Sequence, residues 1–262
     1  MIDLLASGHV IEQGTGQVLR TGETTRLLRP STTSNRYSNA QINGPAERIG
    51  WSPPLTLVAR ARFSHPIDQL HGTAGFGFWN EAIGPGIRTI RPPRLVWFLA
   101  ASPPYDVPLA LGVPGGGLKA AVMNARRPKF FALLPIVPLG FLMMRSPALQ
   151  NRFWPLAQRA LGVDETVLDQ IDPTEFHTYT GDWGGRQVRF SIDGETILIT
   201  RNAPAGPLRF VAWIDNAYAI ATPRGQFGMG LLADRTDRWL DLAELRIITS
   251  PAPAAPDDPA EH

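Results

Sequence analysis

Apolar and polar residues alternate with a period of two along much of this chain. Leu55, Leu57, Ala59, Ala61 and Phe63 interleave with Thr56, Val58, Arg60 and Arg62. That spacing predicts a half-buried strand with arginines on its outer face, entered through a turn at Trp51-Ser-Pro-Pro54. Thr73 to Asn80 reads as a second strand. Ala74, Phe76 and Phe78 fall on one face, and Gly75, Gly77 and Trp79 on the other, where the glycines leave room for a bound group or another layer. Leu95 to Ser102 is a third strand, apolar on both faces, and residues 119–124 a fourth. Val188, Phe190 and Ile192 run into Asp193-Gly194 and then Ile197 and Ile199, a two-residue hairpin signal. Leu208, Phe210, Ala212 and Ile214 alternate with Arg209, Val211, Trp213 and Asp215, and the last strand is Trp239 to Ile248.

Three stretches depart from this pattern. Residues 1–36 are polar and irregular and read as an N-terminal arm with one or two short strands. Residues 250–262 are Pro, Ala and acid, the composition of a disordered tail. Between them, Phe130 to Met144 is an apolar run broken by Pro135 and Pro138, too short and too broken to span a bilayer. Ser146-Pro147 then signals a helix start. Leu149, Phe153, Leu156, Ala157, Ala160 and Leu161 lie on one helical stripe that ends at Gly162, and Pro155 is expected to kink or split it. Asp164 reads as the cap of a further short helix reaching about Ile171. A mainly helical insertion over about 125–172 is therefore expected inside a β domain spanning 37–249.

Composition narrows the function classes. With 25 glycines, 25 prolines and 44% hydrophobic residues in 262, the chain suits one large sandwich of short strands. There is no cysteine, which removes disulfides, thiolate metal sites and cysteine nucleophiles. A formal net charge of +2 with scattered arginines gives no nucleic-acid footprint. Met1 to Val10 holds no apolar run of signal-peptide length, so a cytoplasmic location is expected. His65, His71 and His177 have no metal-ligand spacing. Gly112 to Lys119 and Gly225 to Gly230 lack the ending of a phosphate loop. No cofactor is expected, and a structural calcium ion is left open.

Several segments, in order, resemble glycoside hydrolase family 16. Phe176-His-Thr-Tyr-Thr, Trp183 and Arg189-Phe190-Ser-Ile-Asp193-Gly194 are similar to its FHxYxxxW and I-x-F-x-V-D-G stretch. Leu57 to Phe63 with Gly75 to Trp79 is similar to its EARI and G-x-W-x-A-F-W region, and Trp239 to Ile248 to its closing strand. The resemblance covers roughly 37–102 and 175–248. It implies an all-β, concanavalin A-like jelly-roll sandwich of two antiparallel sheets, here with a short helical insertion, and a structural role for His177. The family's E-x-D-x-x-E signature sits on the strand after the Trp-rich one. By order that strand is Leu95 to Ser102, which has no acid. A retaining glycosidase needs two carboxylates ~5–5.5 Å apart, so family-type hydrolysis is not expected.

The candidate site residues come from this frame. Glu81 and Asp215 each stand close after a Trp at a strand end, and a carboxyl in an apolar cleft can act as an acid; the plainer reading is a loop acid and a turn residue. Tyr37, Asn39 and Gln41 share one face and suit ligand orientation, or an exposed edge strand. Trp79, Trp97 and Trp213 could line a groove, with Asn80 and Asn216 beside them, or belong to the core. The leading expectation is a non-hydrolytic protein that binds an apolar or amphipathic small molecule in the concave cleft. Alternatives are an acid-catalysed cyclase or isomerase on an apolar substrate, and a carbohydrate-binding or glycosidase-like protein with a glycan ligand. The basic-flanked run 130–144 could touch a membrane surface peripherally, form a lid over the cleft or pack as ordinary core.

Overall fold

A computed structural model describes residues 1–31, 33, 36–47, 50–80, 91–126, 146–222 and 224–249. Glu81, the run 130–144 and the tail 250–262 lie outside the described residues. The chain opens with β1 (Ile2–Asp3), a one-turn helix α1 (Leu4–Ser7), β2 (His9–Gln13), β3 (Gln17–Thr21) and β4 (Thr24–Arg29). Next come β5 (Asn39–Asn43), β6 (Leu55–Phe63), β7 (Thr73–Trp79), β8 (Arg94–Ala101) and β9 (Gly117–Asn124), then α2 (Pro147–Leu161) and β10 (Val163–Val167). The second half adds β11 (His177–Trp183), β12 (Val188–Ile192), β13 (Glu195–Thr200), β14 (Arg209–Asp215), β15 (Ala217–Ala221), β16 (Phe227–Leu231) and β17 (Arg238–Thr249).

These strands form two antiparallel sheets. The first runs β13-β12-β11-β6-β17-β4-β3, with β1 on β17, and the second β10-β9-β8-β7-β14-β5-β2; β15 and β16 make a separate hairpin. The sheets pack face to face as a jelly-roll sandwich, because each strand turns its apolar set the same way. From the first sheet come Leu57, Ala59, Ala61, Tyr179, Trp183, Phe190, Leu240 and Leu242; from the second, Phe76, Phe78, Phe98, Ala120, Phe210 and Ile214. Aromatic rings meet edge to face across the middle, with Phe98 5.0 Å from Phe190 and Phe76 5.3 Å from Tyr179. The arginines that alternate along β6 point outward. Arg62 shares the buried Asp241 carboxylate with Arg26 and lies over the Phe176 ring.

Local signals behave as expected at several places. Asp193 and Gly194 both take positive φ, 50° and 86°, as the hairpin turn between β12 and β13 requires. His177 bonds Asp193 at 2.6 Å, and the second Asp193 oxygen accepts the Thr178 amide. Helix α2 begins after Ser146 with Pro147 in its first turn and ends at Gly162, which is left-handed at φ 59°.

Elsewhere the sequence pattern misled. The N-terminal stretch holds more strands than the one or two expected of an arm: β2 extends the second sheet through β5, while β3 and β4 extend the first through β17. β2 and β3 are edge strands, where polar residues face water, whereas β4 lies inside the first sheet between β17 and β3. Helix α2 runs on through Pro155 as one element. Beyond Gly162 there is no second helix among the described residues. Val163 to Val167 pairs with β9, and Asp164 caps nothing; it accepts hydrogen bonds from Thr200 and from Asn202, the latter at 2.6 Å. The left-handed glycine turns the chain out of the helix, and β-branched Val163, Thr166 and Val167 suit a pleated ladder. No helix among the described residues is long and apolar enough to cross a membrane.

Asn216, directly after β14, ties three segments together. Its Nδ2 donates to the Arg36 and Leu232 carbonyls, each at 3.0 Å, and its Oδ1 accepts the Ser38 amide at 3.0 Å. The side chain is fully buried, and these three bonds engage both its polar atoms. Asn216→Ala leaves two carbonyls and an amide without these partners, which costs about 2–4 kcal/mol. A lower urea midpoint at unchanged slope is the expected readout.

Candidate functional site

The second sheet has an outer face, turned away from the sandwich core, and its centre is set by what β7 lacks. Gly75 and Gly77 are the outer-face residues in the middle of that strand. An added Cβ at Gly77 would stand 2.5 Å from the Trp97 Cα and Cβ, and at Gly75 2.2 Å from the Phe98 carbonyl oxygen and 3.1 Å from the Trp213 ring. Gly77 also has φ 154°, which strains an L side chain. With no side chains on this track, indoles from the two flanking strands close over it. Trp97 from β8 and Trp213 from β14 meet at 5.6 Å between ring centroids, and Trp79 lies 6.3 Å from Trp97. Leu99, Ala101, Val211 and Tyr105 pack around them. The three tryptophans predicted as groove residues thus sit together, outside the main core.

A polar border runs along one side. The Asp215 carboxylate accepts from the Thr73 hydroxyl at 2.8 Å, the Ala217 amide at 3.1 Å and the Tyr37 hydroxyl at 3.2 Å. The Trp213 indole N–H donates to Thr73 Oγ1 at 3.0 Å, so the aromatic floor and the carboxylate share one network. Burial drives the Asp215 pKa up, and its hydrogen-bond donors pull it back, leaving it pushed up to about 6. Burial, and then the Asp215 charge, raises the Tyr37 hydroxyl well above its ordinary value, so it stays a donor. One strand over, Asn39 donates to Gln41 at 3.3 Å and Gln41 to Asn43 at 2.5 Å, an amide row along β5. Asn39 Oδ1 and Trp97 Nε1 are buried and have no hydrogen-bond partner among the described residues.

The other half of the face is closed. Lys119 and Glu165 form a buried ion pair at 3.1 Å. The second Glu165 oxygen accepts the amides of Leu109 and Ala110, both at 2.8 Å, which clamps the 102–116 connection onto β9 and β10. Leu109 and Leu161 then pack on Leu95, Ala121, Met123 and Val163. Burial lowers the Lys119 pKa against the pull of Glu165. Tyr105, in the same connection, is raised by burial and by the charges of Glu165 and Asp215.

Asn80 and Asn216 are engaged by backbone groups rather than by the tryptophans. Asn80 accepts the Arg94 amide and donates to the Pro92 carbonyl, both at 2.9 Å, closing the end of the β7–β8 connection. Asn216 is the buried tie between three segments, and Glu81 is outside the described residues. Sequence reasoning passed over Thr73, Asn43, Lys119 and Glu165. Asn43 continues the alternation of Asn39 and Gln41, and Thr73 shares parity with Gly75. A single lysine within the apolar run Leu118 to Met123 itself signals a buried partner.

Chemically, the face offers stacking and hydrogen bonding more readily than carboxylate pair chemistry. The acids on outer-face positions of the described strands are Asp215 and Glu165, on β14 and β10. These strands lie four spacings apart, roughly 19 Å along the sheet, against the ~5–5.5 Å of a retaining pair. Among the described residues no cluster of His, Asp and Glu could hold a metal ion.

The Asp215 carboxyl gives a pH signature. Its folded pKa of about 6 lies above the ordinary unfolded value of about 3.9. Its protonated form therefore favours the fold at acid pH, and that contribution is lost as pH rises through about 6, by up to about 3 kcal/mol. Asp215→Asn should lack this component. Unfolding free energies of both proteins from pH 4 to 7.5 test it: the wild type should lose stability relative to the variant, and parallel profiles would contradict the assignment.

No protein-family profile matches the sequence, and neither does any curated protein. Solved structures do match in fold. A Bacillus licheniformis β-glucanase superposes with a TM-score of 0.50 at 11% identity, covering 94% of each chain. A glycoside hydrolase family protein from Mycobacterium thermorestibile superposes with a TM-score of 0.50 at 12% identity, covering 93% of each chain. At that identity the likeness is one of fold: this chain is an all-β jelly-roll sandwich built like a β-glucanase.

Proposed function

We propose that this protein binds an amphipathic small molecule on the outer face of its second sheet and does not cleave glycosidic bonds. The observation that carries the reading is the meeting of Trp97 and Trp213 across the side-chain-free track of Gly75 and Gly77. Flat apolar surfaces stack on such rings, and the amide row of Asn39, Gln41 and Asn43 beside them supplies an edge for polar groups. The strand that by order answers to the catalytic strand of glycoside hydrolase family 16 turns Leu95, Trp97, Leu99 and Ala101 to this face, none of which can act as nucleophile or acid.

A glycan is the second reading. It is favoured by the β-glucanase fold and by amides beside indoles, since a sugar offers both a C–H face and a hydroxyl edge. Acid catalysis of an isomerisation or cyclisation at the same place is a third, and it would fall to Asp215, whose pKa near 6 suits proton donation. Membrane contact through 130–144 stays a separate proposal, tested by vesicle co-sedimentation with and without that run.

Binding of the neutral fluorophore N-phenyl-1-naphthylamine checks the leading reading. Trp97→Ala, confirmed as folded by circular dichroism, should weaken it about tenfold, the equivalent of about 1.4 kcal/mol. Laminarin and lichenan should yield no new reducing ends. Release of reducing ends, or undiminished probe binding by Trp97→Ala, would overturn it. Laminarin binding that Trp97→Ala abolishes would favour the glycan reading.

A further inference from the structure

The polar atoms of the outer face define what a molecule bound there must carry. A buried polar atom left without a partner costs about 1–3 kcal/mol, and folded proteins retain few. Among the described residues this face has two of opposite kind: the carbonyl oxygen of Asn39, a residue only 2% exposed, and the indole N–H of Trp97. The buried ionic groups of the same face are matched internally. Asp215 has three donors, Lys119 has Glu165, and Glu165 has Lys119 and two amides. Arg209, exposed at the other end of β14, stands opposite Trp79 and is itself already engaged. A charged ligand group placed among the tryptophans would be desolvated with no free counter-charge beside it among the described residues, which is costly.

We infer that the ligand is an uncharged, hydroxylated amphiphile that lies across Trp213 and bonds Asn39 at one end and Trp97 Nε1 at the other; this rests on the proposal that the face binds an amphiphile at all. The hydroxyl is required by the amide row. Reversing Asn39, Gln41 and Asn43 together keeps both bonds between them but exchanges the free acceptor on Asn39 for a free donor. A hydroxyl both donates and accepts, so it satisfies either orientation. Length is set by the sheet. Asn39 on β5 and Trp97 on β8 are three strand spacings apart across the sheet, roughly 14 Å, and four residues out of register along it, so the molecule is longer than a single ring.

The test uses probes that share one alkyl chain and differ in the head: n-octyl β-D-glucoside, octyl sulfate and octyltrimethylammonium, each below its micelle concentration, read by tryptophan fluorescence and calorimetry. The glucoside should bind at least about tenfold more tightly than either ion. Asn39→Leu should weaken the glucoside about tenfold and leave the ions unchanged. Asn39→Ser, which restores a hydroxyl, should recover part of that loss. Trp97→Phe keeps a ring, removes the N–H, and should weaken the glucoside several-fold. An ionic probe that binds as tightly as the glucoside overturns the inference, as does an Asn39→Leu variant, shown to be folded, with unchanged glucoside affinity. Both results leave the proposed amphiphile binding standing provided Trp97→Ala weakens every probe. If Trp97→Ala alters none, or no probe binds, that proposal falls as well. Competition by laminaritriose or by 1-octanol supports the inference and shows which end of the probe is read.

Discussion

The outer face of this sandwich depends on a steric constraint in a single strand. The middle of β7 can carry no side chain there, because the backbone of β8 already occupies the space a Cβ would need. That emptiness lets indoles from β8 and β14 touch across an intervening strand, a distance adjacent side chains would otherwise fill. Once Trp213 lies over Gly75, its N–H reaches Thr73, and Thr73 in turn holds Asp215. The acid, the hydroxyl and the rings therefore form one unit whose geometry stems from the absence of two methyl groups.

Around that unit the face is asymmetric. Toward β10 it is sealed by an ion pair whose carboxylate also gathers two loop amides, and by leucines from the connection and from α2. Buried ion pairs contribute little net stability once desolvation is counted, yet breaking one strands a charge, so such a pair fixes position more than it adds strength. Toward β5 the face carries neutral amides, and one of their polar atoms, Asn39 Oδ1, has no partner among the described residues. A closed apolar half joined to a hydrogen-bonding half is the division an amphiphile itself possesses.

Much of this was legible before any coordinates. Period-two alternation located β6, β7, β12, β13, β14 and β17, because a one-residue slip would exchange the two faces of each; β8 showed instead as a short run apolar on both faces. The three tryptophans and the parity of Tyr37, Asn39 and Gln41 were readable for the same reason. Edge strands were not. β2 and β3 have little apolar surface to alternate, and only their pairing with β5 and with β4 makes them strands. The segment after Gly162 failed differently, since a helix stripe directly before it carried the wrong period past its end. With Val163 to Val167 read as helix, the parity that puts Glu165 beside Lys119 was lost. The β15–β16 hairpin gave no signal either: Gly228 and Gly230 lie under Ile220 and Tyr218, an arrangement that shows as alternation only once the pairing is known. Asn216 looked like a ligand contact because it stands near a tryptophan; its role is decided by backbone groups of segments far from it in the chain.

The position of β17 has a consequence for how the molecule comes to be. It lies between β6 and β4 in the first sheet, although it is the last of the strands in sequence. During synthesis the β3–β4 hairpin has emerged long before the strand that will join it to β6. The first sheet therefore remains in two pieces, with unsatisfied edges on both sides of a gap, until the twelve residues of β17 arrive to fill it. Assembly that waits on its most distant partner is slow and leaves those edges open to other chains in the interval.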